Sequence, residues 1–252
     1  MPRSTITNEE RASYYKEIAP IAIRERAKLF KGNNLGNEID VLEQLGFIIV
    51  KFPSKDKNLS GFCIEKSGYK CIYINSNITE GRQRFSLWHE YYHLITGDGI
   101  GISYNDGDKY SKSECKAHLF ASLFLMPENA VREYIELNRI SMPYIKNKDI
   151  LRMANIFNVS FSAMLYRIIQ IYPYCKKELG KRFKTANNFA ELRKIADEYN
   201  LSTKCEEVTN DCYVTKIFFE QIEKNFNEKK ISSDKLLFIK DLLDKIRKNS
   251  ND

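Results

Sequence analysis

The sequence predicts an α+β fold, a small mixed sheet with helices packed on it, followed by a mostly α-helical C-terminal extension. Three observations lead there. Short strand-like runs crowd into residues 47–75. Long stretches of good helix formers flank them on both sides. Beyond Cys175 the chain stays polar and helical in character. At 252 residues the chain has room for one large domain, or a domain with an appendage. Its 43% hydrophobic and 29% charged residues describe an ordinary globular composition.

Residues 8–30 read as a helix with Asn8 as N-cap and Glu9 and Glu10 in its first turn. The turn Lys31-Gly32-Asn33-Asn34 ends it, and a second helix runs to about Leu45, stopped by Gly46. Phe47–Phe52 is a strand by its apolar, β-branched content. Phe62–Glu65 and Tyr69–Asn75 flank Ser67-Gly68 as a hairpin. Gly81 opens a helix spanning Arg82–Ile95, which Thr96-Gly97-Asp98-Gly99 breaks. The Gly-, Asp- and Asn-rich stretch 97–110 reads as a loop.

A further helix starts near Ser111–Ser113 and reaches Leu125, and Pro127 can begin the next one. Residues 147–171 form a two-helix unit, with Asn158 at the bend and Ser160 as N-cap. Ser232 or Ser233 caps a last helix whose Leu236, Ile239, Leu243 and Ile246 form a packing seam. The domain expectation is a core over 1–144, a helix-turn-helix-like pair over 145–175 packed on it, and an extension over 176–252.

No run is long enough to span a membrane. Met1-Pro2-Arg3-Ser4-Thr5 lacks the apolar core of a secretory signal. Six scattered cysteines without a C-x-x-C pair read as reduced thiols, so a cytoplasmic setting is expected. The net charge of +7 is spread over polar faces and favours a solvated surface over a nucleic-acid groove.

Only three histidines occur, and two stand four apart in His89-Glu90-Tyr91-Tyr92-His93. On a helix both imidazoles share a face and can close on one ion. Glu90, one step round, can take a proton from a water activated there. Two histidines alone hold zinc poorly, and a catalytic site normally adds a third protein ligand and keeps one position open. Asp98, Glu114 and His118 are the candidates. Glu114 is favoured, because a carboxylate from a second helix completes an established His2Glu set.

The segment Arg82-Gln83-Arg84-Phe85-Ser86-Leu87-Trp88-His89-Glu90-Tyr91-Tyr92-His93 fits R-x-R-F-x-x-x-H-E-x-x-H. Glu114-Cys115-Lys116-Ala117-His118-Leu119-Phe120-Ala121 follows, then Met126-Pro127. Together, over roughly 34–170, these resemble the ImmA/IrrE family of metallopeptidases. The resemblance implies a zincin-like core, Zn2+ as cofactor, His89, His93 and Glu114 as metal ligands, and Glu90 as general base. It also implies a narrow protein substrate, a helix-turn-helix transcriptional repressor. Two positions depart from the family. Tyr92 stands where a small residue is usual, and His118 stands where Asn is common.

Tyr91, Tyr92 and His118 are candidate extra donors to a developing oxyanion, with His118 also able to polarise a substrate carbonyl. Tyr69–Asn75 is a candidate edge for an extended peptide. The pair at 150–171 tempts a DNA-binding reading. Its second helix is strongly apolar, however, which favours packing over direct DNA binding. The alternative function is a non-hydrolytic, zinc-containing regulator that sequesters a repressor or antitoxin-like partner. Weaker still is a DNA-binding regulator with a structural metal.

Overall fold

In the computed structural model, residues 7–30, 36–56, 58–98, 102–104, 112–142 and 144–249 are described. The elements are α1 (Asn8–Leu29), α2 (Glu38–Gln44), β1 (Phe47–Phe52), β2 (Leu59–Lys66), β3 (Tyr69–Asn75), α3 (Glu80–Thr96) and β4 (Ile102–Tyr104). Then come α4 (Lys112–Leu125), α5 (Glu128–Leu137), α6 (Asn147–Phe157) and α7 (Phe161–Ile171). The C-terminal part adds α8 (Lys176–Gly180), α9 (Phe183–Ala186), α10 (Phe189–Tyr199), β5 (Tyr213–Val214), α11 (Lys216–Asn227) and α12 (Ser233–Asn249). The fold is α+β, as the sequence predicts.

Five strands make one mixed sheet in the order β4-β2-β3-β1-β5. β1 and β3 run parallel, and the remaining pairings are antiparallel. Ser67 and Gly68 both take positive φ, the backbone a two-residue hairpin turn demands. Asn75 ties the loop after β1 to β3: its carboxamide donates to the Asp56 and Leu59 carbonyls and accepts the Ser54 and Asn77 N–H groups.

β3 is therefore central, with β2 on one side and β1 on the other, and Tyr69–Asn75 is not an edge. Two contributions that the sequence conceals widen the sheet beyond β2 and β1. Ile102–Tyr104, inside the expected loop 97–110, pairs with β2 as β4. Tyr213–Val214, inside the extension, pairs with β1 as β5.

α3 lies across β2 and β3, and α4 packs on its other side between α3 and α1. Trp88 is the hub of that layer. Its ring stacks on Phe124 at 3.9 Å and meets Phe30 edge-on at 5.9 Å, while its Nε1–H donates to Glu38 at 2.8 Å. Glu38 also receives Arg84 at 3.1 Å. The apolar face of α7 (Phe161, Met164, Leu165, Ile168) is wholly buried in the same core. Arg167 donates from that helix to the Met126 carbonyl.

Residues 204–217 return from the extension and strap the core. Glu80 N–H donates to Glu207 O, Asn210 N–H to Ser76 O, and Thr215 N–H to Ile49 O. Gly81 sits where this strap, α3 and α7 meet. A Cβ there would lie 2.7 Å from Ser160 N and 2.9 Å from Cys205 O, so only glycine fits.

The N-cap of α1 is Thr7 instead of Asn8. Its hydroxyl accepts the Glu10 N–H while the Glu10 carboxylate accepts the Thr7 N–H, a reciprocal box that Asn8, already inside the helix, cannot make. The expected turn at 31–34, the helix start at Ser111 and most of 97–110 lie outside the described residues. Asn158 and Ser160 behave as expected: Asn158 is left-handed and Ser160 caps α7. Among the described residues, no helix is long and apolar enough to cross a membrane.

Candidate metal centre

Thr79 precedes α3, and Gly97 ends it in the left-handed conformation with its N–H on the His93 carbonyl. That helix places His89 and His93 one turn apart, rings edge to face with centroids 4.8 Å apart. Their Nε2 atoms face each other at 3.1 Å. Glu114, in the first turn of α4, reaches both. Its Oε2 is 3.1 Å from His89 Nε2 and its Oε1 is 3.3 Å from His93 Nε2.

His89, His93 and Glu114 are a set that could hold a metal ion, each offering one donor atom with all donors within 4.8 Å of one another. A tetrahedral ion about 2.0–2.1 Å from each donor needs donors spaced about 3.3–3.4 Å apart. The measured spacings come within a few tenths of an ångström of that geometry.

The electrostatics agree. Burial works against charge on Glu114, but hydrogen bonds to His89 and His93 outweigh it and hold the carboxyl well below its usual range. His93 moves the opposite way. Burial resists its protonation, yet the Glu114 carboxylate and the Asp98 carbonyl raise its affinity for protons. A cluster that draws a proton onto a buried imidazole is short of positive charge.

The outer edge of each ring is also engaged. His93 Nδ1–H donates to the Asp98 carbonyl, which can only accept. His89 Nδ1 pairs with His118 Nδ1 at 2.8 Å. All three third-ligand candidates from the sequence thus touch the histidine pair, from different sides. Glu114 alone faces the Nε2 atoms. Asp98 acts through its backbone, and His118 stands behind His89. His118 keeps an exposed face, while the crowding around its ring and the neighbouring His89 imidazole lower its affinity for protons.

Glu90 is buried, and its Oε2 has no hydrogen-bond partner among the described residues. Burial pushes its carboxyl up, against the pull of His89 and His93. Gly61 of β2 lies against it: a Cβ there would sit 3.6 Å from Glu90 Cγ, an ordinary contact, but 2.8 Å from the Tyr73 carbonyl, so the glycine is needed for the close approach of β3. An isolated glycine inside a strand pattern is the signal that could have exposed this contact in the sequence. A buried carboxylate oxygen with no partner marks a place for a water or a substrate group.

Tyr91 is not an oxyanion donor. Its hydroxyl donates into the core to Glu25 at 2.9 Å. Tyr92 is buried too, with its ring against Phe120 at 5.3 Å, which is the repacked neighbour its size requires.

Residues 42–168 match the M78 peptidase family model, the IrrE N-terminal-like domain. This chain belongs to that family. No curated protein matches it significantly. The match begins in α2 and ends in α7, so the IrrE N-terminal-like domain takes in β1–β4, the α3–α4 cluster and most of the α6–α7 pair. β5 and α8–α12 lie outside it. M78 peptidases are metallopeptidases, and the His89–His93–Glu114 cluster is where this member can accept an ion.

Proposed function

We propose that the protein is a zinc-dependent endopeptidase in which His89, His93 and Glu114 hold the ion and Glu90 is the general base. The observation that carries this is the near-tetrahedral spacing of three donors beside a buried, unpartnered carboxylate oxygen. When bound, zinc acidifies water and stabilises negative charge at the scissile carbonyl oxygen.

Glu90 accepts the proton of the attacking water as its oxygen bonds to the carbonyl carbon. It passes that proton to the amine nitrogen as the C–N bond breaks. A carboxyl whose proton affinity is raised by burial suits both halves of that transfer. Glu114 stays ionised throughout, since its two hydrogen bonds favour the carboxylate. Among the described residues β4 is the outer strand on the β2 side, and its backbone is the edge proposed to receive an extended peptide. β2 also carries Gly61 against Glu90, so the edge and the base share one neighbour.

The substrate in this reading is a helix-turn-helix transcriptional repressor, as the family resemblance implies. In this reading the peptidase core spans 1–144, 145–175 is the helical pair packed on it, and 176–252 is an extension that lends β5 back to the core sheet. The burial of α7's apolar face favours packing over direct DNA binding for that pair. Six free cysteines suit the reducing cytoplasm.

The test is Glu90→Gln. Zinc content should persist while hydrolysis of a repressor, followed as new fragments by mass spectrometry, falls about 10²–10⁴-fold. Chelator should abolish the fragments from the unmodified chain. Undiminished cleavage by the variant overturns the role of Glu90. Stoichiometric repressor capture with no fragments supports the sequestering alternative.

A further inference from the structure

We infer that His118 is a positioning residue for the metal: its imidazole accepts a hydrogen bond from His89 and fixes the ring that presents Nε2 to the ion. The inference rests on the metal reading of the site. It concerns the third histidine of the chain, which that reading does not use.

An imidazole can ligate through Nε2 only if that nitrogen carries a lone pair, so in the neutral ring the proton must sit on Nδ1. A partner at Nδ1 that accepts this proton selects the tautomer and orients the ring. His93 has such a partner in the Asp98 carbonyl. His89 lies on the same helix and faces the same carboxylate, but no carbonyl reaches its Nδ1 among the described contacts. His118 does, at 2.8 Å.

The rings of His118 and His89 meet at 62° with centroids 4.7 Å apart, and Phe85 braces His118 edge-on at 5.6 Å. His118 leaves α4 one turn after Glu114. One helix therefore supplies both a ligand on the Nε2 side of His89 and an acceptor on its Nδ1 side. An Nδ1–Nδ1 pair could run in either direction by itself. An ion on His89 Nε2 decides it, because His89 must then donate and His118 accept.

A side chain that accepts from the δ1 position should replace His118, and an isosteric apolar one should not. Asn carries Oδ1 at about the same distance from the backbone as His carries Nδ1. The experiment titrates full-length His118→Asn, His118→Leu, Glu114→Ala and the unmodified chain with zinc against a chromophoric chelator. Thermal unfolding of the metal-free proteins checks that each is folded. His118→Leu should bind zinc about 10–100-fold more weakly, the usual effect of losing such an outer partner. His118→Asn should stay within a few-fold of the unmodified chain, and Glu114→Ala should lose tight binding.

Unchanged affinity in His118→Leu overturns the inference. So does an equal loss in His118→Leu and His118→Asn, which would mark general packing instead of an acceptor. If Glu114→Ala also binds as tightly as the unmodified chain, the metal assignment itself fails, a different outcome from failure of the His118 role alone.

Discussion

α3 and α12 are both seventeen-residue helices, and they hold their shape for opposite reasons. α3 buries eleven of its residues, including Trp88, His89, His93 and Glu90. Sheet, α4 and strap cover most of its surface. α12 has no buried residue among those whose side chains are described. Its cap is local, the Ser232 hydroxyl accepting the Lys235 N–H, and its partner is α11, itself without a buried residue. Leu236, Ile239 and Leu243 form a half-covered seam, while Leu237 and Phe238 remain more than half exposed. A helix built from outside can carry unusual polar groups; one built from its own sequence carries little beyond itself.

The sharpest way to break this contrast is Trp88→Ala. It empties the space between Phe30 and Phe124 and leaves Glu38, whose carboxyl burial already pushes up, with Arg84 but without the indole donor. The expected cost is about 3–5 kcal/mol by denaturant unfolding. A loss below about 1 kcal/mol would show that α3 does not depend on its surroundings.

Next in size is Thr215→Val, which probes the strap. The fully buried Thr215 hydroxyl accepts the Ile49 N–H at 3.0 Å, and valine keeps the shape without the acceptor. The unsatisfied amide should cost about 1–3 kcal/mol, read in the same unfolding experiment.

Smallest is removal of α12 by truncation after Ile231. Stability should fall by no more than about 1 kcal/mol, a shift of about 2–4 °C in Tm, with zinc affinity unchanged. A larger shift would show that α12 supports the core as α3 does.

What the sequence made legible follows the same division. The helix period put His89 and His93 on one face, and the turn between Glu114 and His118 was equally plain, because helix geometry is local. The hairpin at Ser67-Gly68 and the bend at Asn158 were legible for the same reason. β5 was not. It is two residues long, and only its partner, more than 160 positions earlier, makes it a strand. Misreading Tyr69–Asn75 as an edge has a separate cause: the strand that flanks it opposite β2 is β1, paired in parallel across the intervening hairpin strand, and an edge is a property of neighbours. Asp98 shows a further limit: it serves through its backbone carbonyl, which no residue type encodes. The capping box at Thr7 was readable in principle, and Asn8 obscured it by being an equally good cap type.

The strap has a bearing on the order in which the molecule is made. Every side chain assigned to the ion leaves the ribosome by position 114, and His118 soon after. The Glu80 amide and the Ser76 carbonyl, at the start of α3 and just before it, find their counterparts only at 207 and 210. Under the proposed assignment a nascent chain thus carries His89, His93 and Glu114 for some ninety residues of synthesis before Glu207 and Asn210 are made.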